Sequence, residues 1–158
     1  MSIKDLTLRD ALAVAKEAEQ AAAALYAEAV RDAVNPLVRR LLEQLVGYER
    51  YHYQKLVELE KSLQEKGAYI RYEGQAPLVV EPASEVPAVE SVRHTSAAKV
   101  MKQAIGFEKQ AEERYAALAE QTDDPDGKAM FERLAGEEHS HRLALTSTYY
   151  DMANLRGP

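Results

Sequence analysis

At 158 residues, 46% of them hydrophobic and 29% charged, the chain has the size and make-up of one globular domain with a sizeable core. A net charge of −6 and a pI near 5.3 leave no basic footprint for nucleic acid, and zero cysteines exclude disulfides, thiolate zinc sites, iron–sulfur clusters and catalytic thiols. No apolar run approaches the ~18 residues of a membrane span, and the opening MSIKDLTLRD lacks the layout of a signal peptide, so no membrane partner and a cytoplasmic address are expected.

In chain order, residues 7–34 are rich in Ala, Leu and Glu and predict a first helix, with Thr7 and Asp10 spaced as a T-x-x-D capping signal. Asn35-Pro36 breaks it, because Asn caps a helix and Pro suits its first position. The second helix is predicted to run to about Lys66, with Gly67 as a left-handed stop. Pro77, Pro82 and Pro87 interrupt residues 68–95, where AYIRY and PLVV have an extended character. A third helix is predicted from near Ser96 to about Gln121, then a turn at DDPDG (123–127), then a fourth helix toward Asn154.

Two helical hairpins, 7–67 and 96–154, joined by a crossover over 68–95, thus make a single all-α domain spanning 1–158: a four-helix bundle with one long crossover. At ~3.3 Å per residue such a connection can run the full length of a helix of this size. A linker between hairpins exchanged between subunits is the alternative.

The chain repeats itself. At an offset of 89 residues the hairpins align without a gap, and twelve positions between residues 15 and 56 are identical. They include the polar or turn pairs Glu19/Glu108, Tyr26/Tyr115, Pro36/Pro125, Gly47/Gly136, Glu49/Glu138 and His52/His141, which core packing alone does not select.

The repeated polar residues fall where apolar ones belong. At 100° per residue, Leu41, Leu45, Tyr48, His52, Leu56, Leu59 and Leu63 form one stripe, with Glu49 at its edge. Met130, Leu134, Leu145 and Met152 form the corresponding stripe of the fourth helix, and Glu138 and His141 lie within it. Glu19 and Glu108 sit in the apolar stripes of the first and third helices. Antiparallel pairing brings Glu19 level with Glu49 and Glu108 level with Glu138, all ~21–24 Å from their turns at 1.5 Å per residue. A single Glu-x-x-His is common in acid-rich helices. Two such pairs, each with a Glu thirty residues earlier and all turned inward, are not. His94 and His139 lack the preceding Glu and read as surface residues.

Four buried carboxylates without counter-charge cost several kcal/mol each or take up protons. Two divalent cations balance them with both imidazoles neutral, and oxygen-rich ligation with some imidazole suits iron or manganese better than structural zinc. A metal-free network of Glu–His bonds is the competing reading.

With this spacing the chain resembles the ferritin-like di-iron carboxylate proteins, and among them the rubrerythrin-like group. The resemblance implies Glu19 and Glu108 as single-helix metal ligands, and Glu49, His52, Glu138 and His141 as paired ligands whose carboxylates bridge the metals. It implies that Tyr26 and Tyr115, seven residues after the single Glu, bond the ligand carboxylates, the other reading being plain core aromatics. It further implies two iron ions (or manganese, or a mixed pair), hydrogen peroxide or dioxygen as oxidant, an external rubredoxin- or ferredoxin-like electron donor, and a homodimer, with or without domain swapping. Two departures stand out. No cysteines are present for a rubredoxin domain, and the extra Glu expected three residues after the third-helix ligand is Ala111. Glu112 is one residue off that pattern and is not counted as a ligand. The remaining six resemble the ferroxidase centre of bacterioferritin, although nothing after Met152 resembles its short fifth helix. The expected function is that of a di-iron oxidoreductase reducing peroxide; iron handling without turnover (ferroxidase, binding or storage) is the alternative.

Overall fold

A computed structural model describes the backbone over residues 3–80 and 96–154, and side chains over residues 8–80 and 98–151. The remaining crossover residues, with Pro82, Pro87 and His94, lie outside the described residues, as do the side chains of Thr7 and Met152. Four helices follow one another: α1 (Ile3–Asp32), α2 (Pro36–Lys66), α3 (Ser96–Gln121) and α4 (Pro125–Asn154). Among the described residues there is no strand, and no helix is long and apolar enough to cross a membrane. The architecture is the all-α four-helix bundle expected from the sequence.

Local chemistry sets the turns. The Asn35 side chain accepts from the amides of Leu37 (2.9 Å) and Val38 (3.4 Å), and Pro36 opens α2. At the repeat-related turn, Asp124 accepts from the Gly127 amide at 2.9 Å, and Pro125 opens α4. Gly67 ends α2 with φ of 65°, its amide donating to the Leu63 carbonyl at 3.0 Å. That left-handed conformation is accessible to Gly without a Cβ penalty. One boundary differs from expectation. Helix α1 starts at Ile3, so residue 7 lies within it and not at the N-cap position. The preceding IKDL holds no Gly or Pro to stop a helix that the following residues favour.

Helix α1 packs along α2, α3 along α4, and the hairpins meet through α1 and α3. Two apolar clusters fill the interior. One gathers Tyr26, Leu37, Leu41, Leu45, Met101 and Leu145; the other gathers Leu12, Leu56, Leu59, Tyr115, Met130 and Phe131. Each fully buried side chain of this size contributes about 1.5–3 kcal/mol through the hydrophobic effect. Between the clusters lies a layer of buried Glu and His.

The crossover's described part, residues 68–80, lies on α2 and α4. Gln44 bonds Val79 twice, donating to its carbonyl and accepting from its amide, both at 2.8 Å. The Tyr48 hydroxyl donates to the Ala76 carbonyl, and the Tyr69 ring meets Phe131 edge-on at 6.5 Å between centroids. Gly74 has φ of 82° and sits so close to Arg133 that a Cβ there would lie 2.5 Å from its guanidinium. The extended character read at AYIRY and PLVV is therefore that of a strap held by side chains of the bundle.

Replacing Asn35 by Ala removes the acceptor for two otherwise unpartnered amides. Urea denaturation is expected to show a loss of about 1 kcal/mol with an unchanged m-value.

Candidate metal centre

The six residues singled out by the repeat converge. Glu19, Glu49, His52, Glu108, Glu138 and His141 are each 2% exposed or less. They form two overlapping groups, Glu19–Glu49–His52–Glu138 and Glu49–Glu108–Glu138–His141, and within each group one donor atom per residue lies within 4.8 Å of every other. Glu49 and Glu138 belong to both groups. These are the carboxylates of the two Glu-x-x-His pairs.

Both imidazoles turn Nδ1 toward the carboxylates. His52 Nδ1 stands 2.8 Å from Glu138 Oε1 and 3.6 Å from Glu19 Oε1, and His141 Nδ1 stands 4.0 Å from Glu108 Oε2 and from Glu138 Oε2. These approaches lack hydrogen-bond alignment. Glu19 Oε2, Glu49 Oε1, both Glu138 oxygens and both Nδ1 atoms are buried without a hydrogen-bond partner. A well-packed polar core satisfies its members, so a layer of converging, unpaired donors fits a cation and fits a closed Glu–His network poorly. Four carboxylate donors and two imidazoles match two divalent ions in charge and in ligand type.

Around the six, other groups hold them in place. Tyr115 on α3 donates to Glu19 Oε1 on α1 at 2.5 Å, and Tyr26 on α1 donates more weakly to Glu108 Oε1 on α3 at 3.4 Å. Each hairpin's tyrosine thus reaches the single-helix Glu of the other. Burial and the nearby carboxylates push both phenols up, so both remain donors.

Sequence reasoning missed Glu137. Its Oε1 pairs with His52 Nε2 at 2.8 Å and accepts from the Tyr72 hydroxyl at 2.6 Å; its Oε2 accepts from the Gln75 amide at 2.9 Å. The carboxylate therefore ties α2, α4 and the crossover together. It offers an acceptor to a proton on His52 Nε2, so that Nδ1 is the atom turned toward the other carboxylates, an arrangement like that of carboxylates behind metal-binding histidines. The repeat hides this residue, because position 137 aligns with Tyr48. Tyr48 instead lies against the other histidine, its ring centroid 4.5 Å from that of His141. The only hint in the sequence is a second acid beside Glu138.

Glu112, set aside as a ligand, turns away from the centre. It accepts two bonds from Arg142 (2.9 and 3.1 Å) and pairs with His139 Nδ1 at 2.9 Å. His139 is exposed, as its lack of a preceding Glu suggests.

The electrostatics describe a site that holds protons when no metal is present. Burial and the charges of Glu138 and Glu19 push Glu49 well up, while burial and Glu19 push Glu138 up to about 7 against the pull of His52. Burial lowers His52, but Glu137, Glu138 and Glu19 outweigh it and hold it well above an ordinary imidazole. His141 goes the other way: burial and the charge of His52 lower it to about 4, so it is neutral at physiological pH.

Compared with known proteins, residues 99–156 match the family model described as Rubrerythrin. The match covers the second hairpin, including Glu108, Glu138 and His141. No curated protein and no solved structure matches the chain. The match over the second hairpin and the four-helix architecture are consistent with an all-α bundle of the ferritin-like type, whose buried Glu/His cluster could hold a metal ion.

Two outcomes follow from the geometry. A metal must displace protons held by His52, Glu49 and Glu138, so affinity for a divalent ion is expected to fall as pH drops, including through about 7, where Glu138 takes up its proton. Calorimetry in buffers of different ionisation enthalpy then reads net proton release on binding. Glu137→Gln is expected to weaken metal binding about 10–100-fold in competition with a chromophoric chelator.

Proposed function

Starting from a rubrerythrin-like second hairpin that the first hairpin repeats, we propose that the chain is a non-haem di-iron oxidoreductase that reduces hydrogen peroxide. The observation that carries this reading is the pair of overlapping four-residue groups sharing Glu49 and Glu138. When bound, two iron ions supply the two electrons that convert peroxide and two protons to water, and an external donor replaces them. The protein contributes everything else. Glu19 and Glu108 hold one side of the site each, His52 and His141 offer Nδ1, and the shared carboxylates neutralise the charge between them. The apolar clusters close the site above and below, and Tyr115 and Glu137 fix ligand orientation. A soluble donor of the rubredoxin or ferredoxin type, a cytoplasmic location and a dimer accompany the reading.

A second reading, iron handling without turnover, is favoured by one observation. Glu112 is engaged by Arg142 and His139, and Ala111 offers no donor, so six protein ligands remain, as in a bacterioferritin-type ferroxidase centre.

Metal analysis of protein purified without added metal is expected to find two ions per chain, with iron predominating. His52→Ala and His141→Ala should each lower this toward one. Mixing the reduced, iron-loaded protein with stoichiometric peroxide should give fast oxidation, sustained when a reductant is added. Slow oxidation by peroxide and dioxygen alike, or loss of iron into a mineral, would instead establish iron handling.

A further inference from the structure

The two hairpins are copies, yet their outer faces differ beside the metal centre. On the α1–α2 face a cavity of about 260 Å³ is lined by Glu19, Gln20, Ala23, Glu49, Arg50 and Tyr53. Gln20 and Arg50 are exposed at the surface, whereas Glu19 and Glu49 are two of the buried carboxylates. The cavity therefore runs from solvent to the ligands themselves.

Adding the repeat offset of 89 to the non-ligand lining residues gives Lys109, Glu112, His139 and Arg142 on the α3–α4 face. Three of these four form the ion network described above. Arg142 and His139 both bond Glu112, and Arg142 Nη2 lies 3.1 Å from His139 Nδ1. The methyl group of Ala23 is replaced at its counterpart by the longer Glu112 side chain, which its two partners hold across the face. The same location in the duplicated fold is thus open in one copy and bridged in the other.

We propose that the α1–α2 cavity is the portal through which a small oxygen ligand of the peroxide class reaches the centre, and that the Glu112–His139–Arg142 network closes the equivalent route on the opposite face. The proposal rests on the metal-centre reading above. The chemistry of the mouth suits such a ligand. The Gln20 amide and the Tyr53 hydroxyl offer hydrogen bonds, and the Arg50 guanidinium favours a neutral or anionic visitor over a hydrated cation. Access from one face also delivers the ligand beside Glu19 and Glu49, leaving His141 and Glu108 on the sealed side.

Azide, a small anion that gives a charge-transfer band on ferric centres, serves as the probe in stopped-flow mixing with the oxidised, iron-loaded chain. Metal content is measured on each sample beforehand. Ala23→Leu fills the cavity from within, and Gln20→Phe covers it from an exposed position that the fold tolerates. Both are expected to slow azide association about tenfold or more, while Lys109→Phe, the repeat counterpart of Gln20→Phe, stays within about twofold of the parent. Equal rates in all four proteins, or equal slowing by Gln20→Phe and Lys109→Phe, overturn the portal while leaving the metal centre standing. A parent chain without metal overturns both, and the prior metal analysis identifies that outcome.

Discussion

The fold is organised around one electrostatic constraint: four carboxylates and two imidazoles share a buried layer at the middle of the bundle. In water these groups are solvated; here they face one another between two apolar clusters. Such a layer can be neutralised by protons or by cations, and the convergence of buried donor atoms, several without a hydrogen-bond partner, suits a cation. The apolar clusters hold the helices at fixed spacing, and the tyrosines and Glu137 hold the ligands at fixed orientation. The strap across α2 and α4 adds a third anchor through Tyr72 and Gln75. Stability and site geometry are therefore not separable in this molecule. The packing that stabilises the bundle also keeps like charges close.

Duplication explains most of the architecture, and divergence explains the rest. The six donors retain the repeat, because each half of the site needs the same chemistry. The residues immediately behind them do not. His52 is backed by a carboxylate and His141 by an aromatic ring, although the two histidines are repeat-related. Burial lowers both imidazoles, yet only His52 has carboxylates close enough to reverse the effect. The two halves of the centre are thus inequivalent in basicity and in hydrogen bonding.

What was legible in the sequence follows from the range of the forces involved. Asn35-Pro36, Gly67 and DDPDG announce their turns because capping is decided within a few residues. The six donors were legible because helical periodicity and the offset of 89 convert spacing into facing. Helix α1 was misjudged at its start, where a capping motif sits inside a sequence with no helix breaker before it. Glu137 was hidden for a different reason. Its partners Tyr72, Gln75 and His52 lie 62 to 85 residues away, two of them in an irregular segment, and its repeat counterpart is Tyr48. No periodicity reports such contacts.

The pairing of Tyr48 with Glu137 has a consequence for the molecule's symmetry. Two identical hairpins, associating as separate chains, could build the six-donor layer with its crossed tyrosine bonds, because each would supply half. They could not back one histidine with a carboxylate and the other with a phenol, since a substitution at that position would appear in both halves at once. Joining the copies in one polypeptide gives each its own codon there. The long crossover is thus more than a connector: it gives the two halves of the centre genetic independence, and a symmetric pocket becomes one with a front and a back.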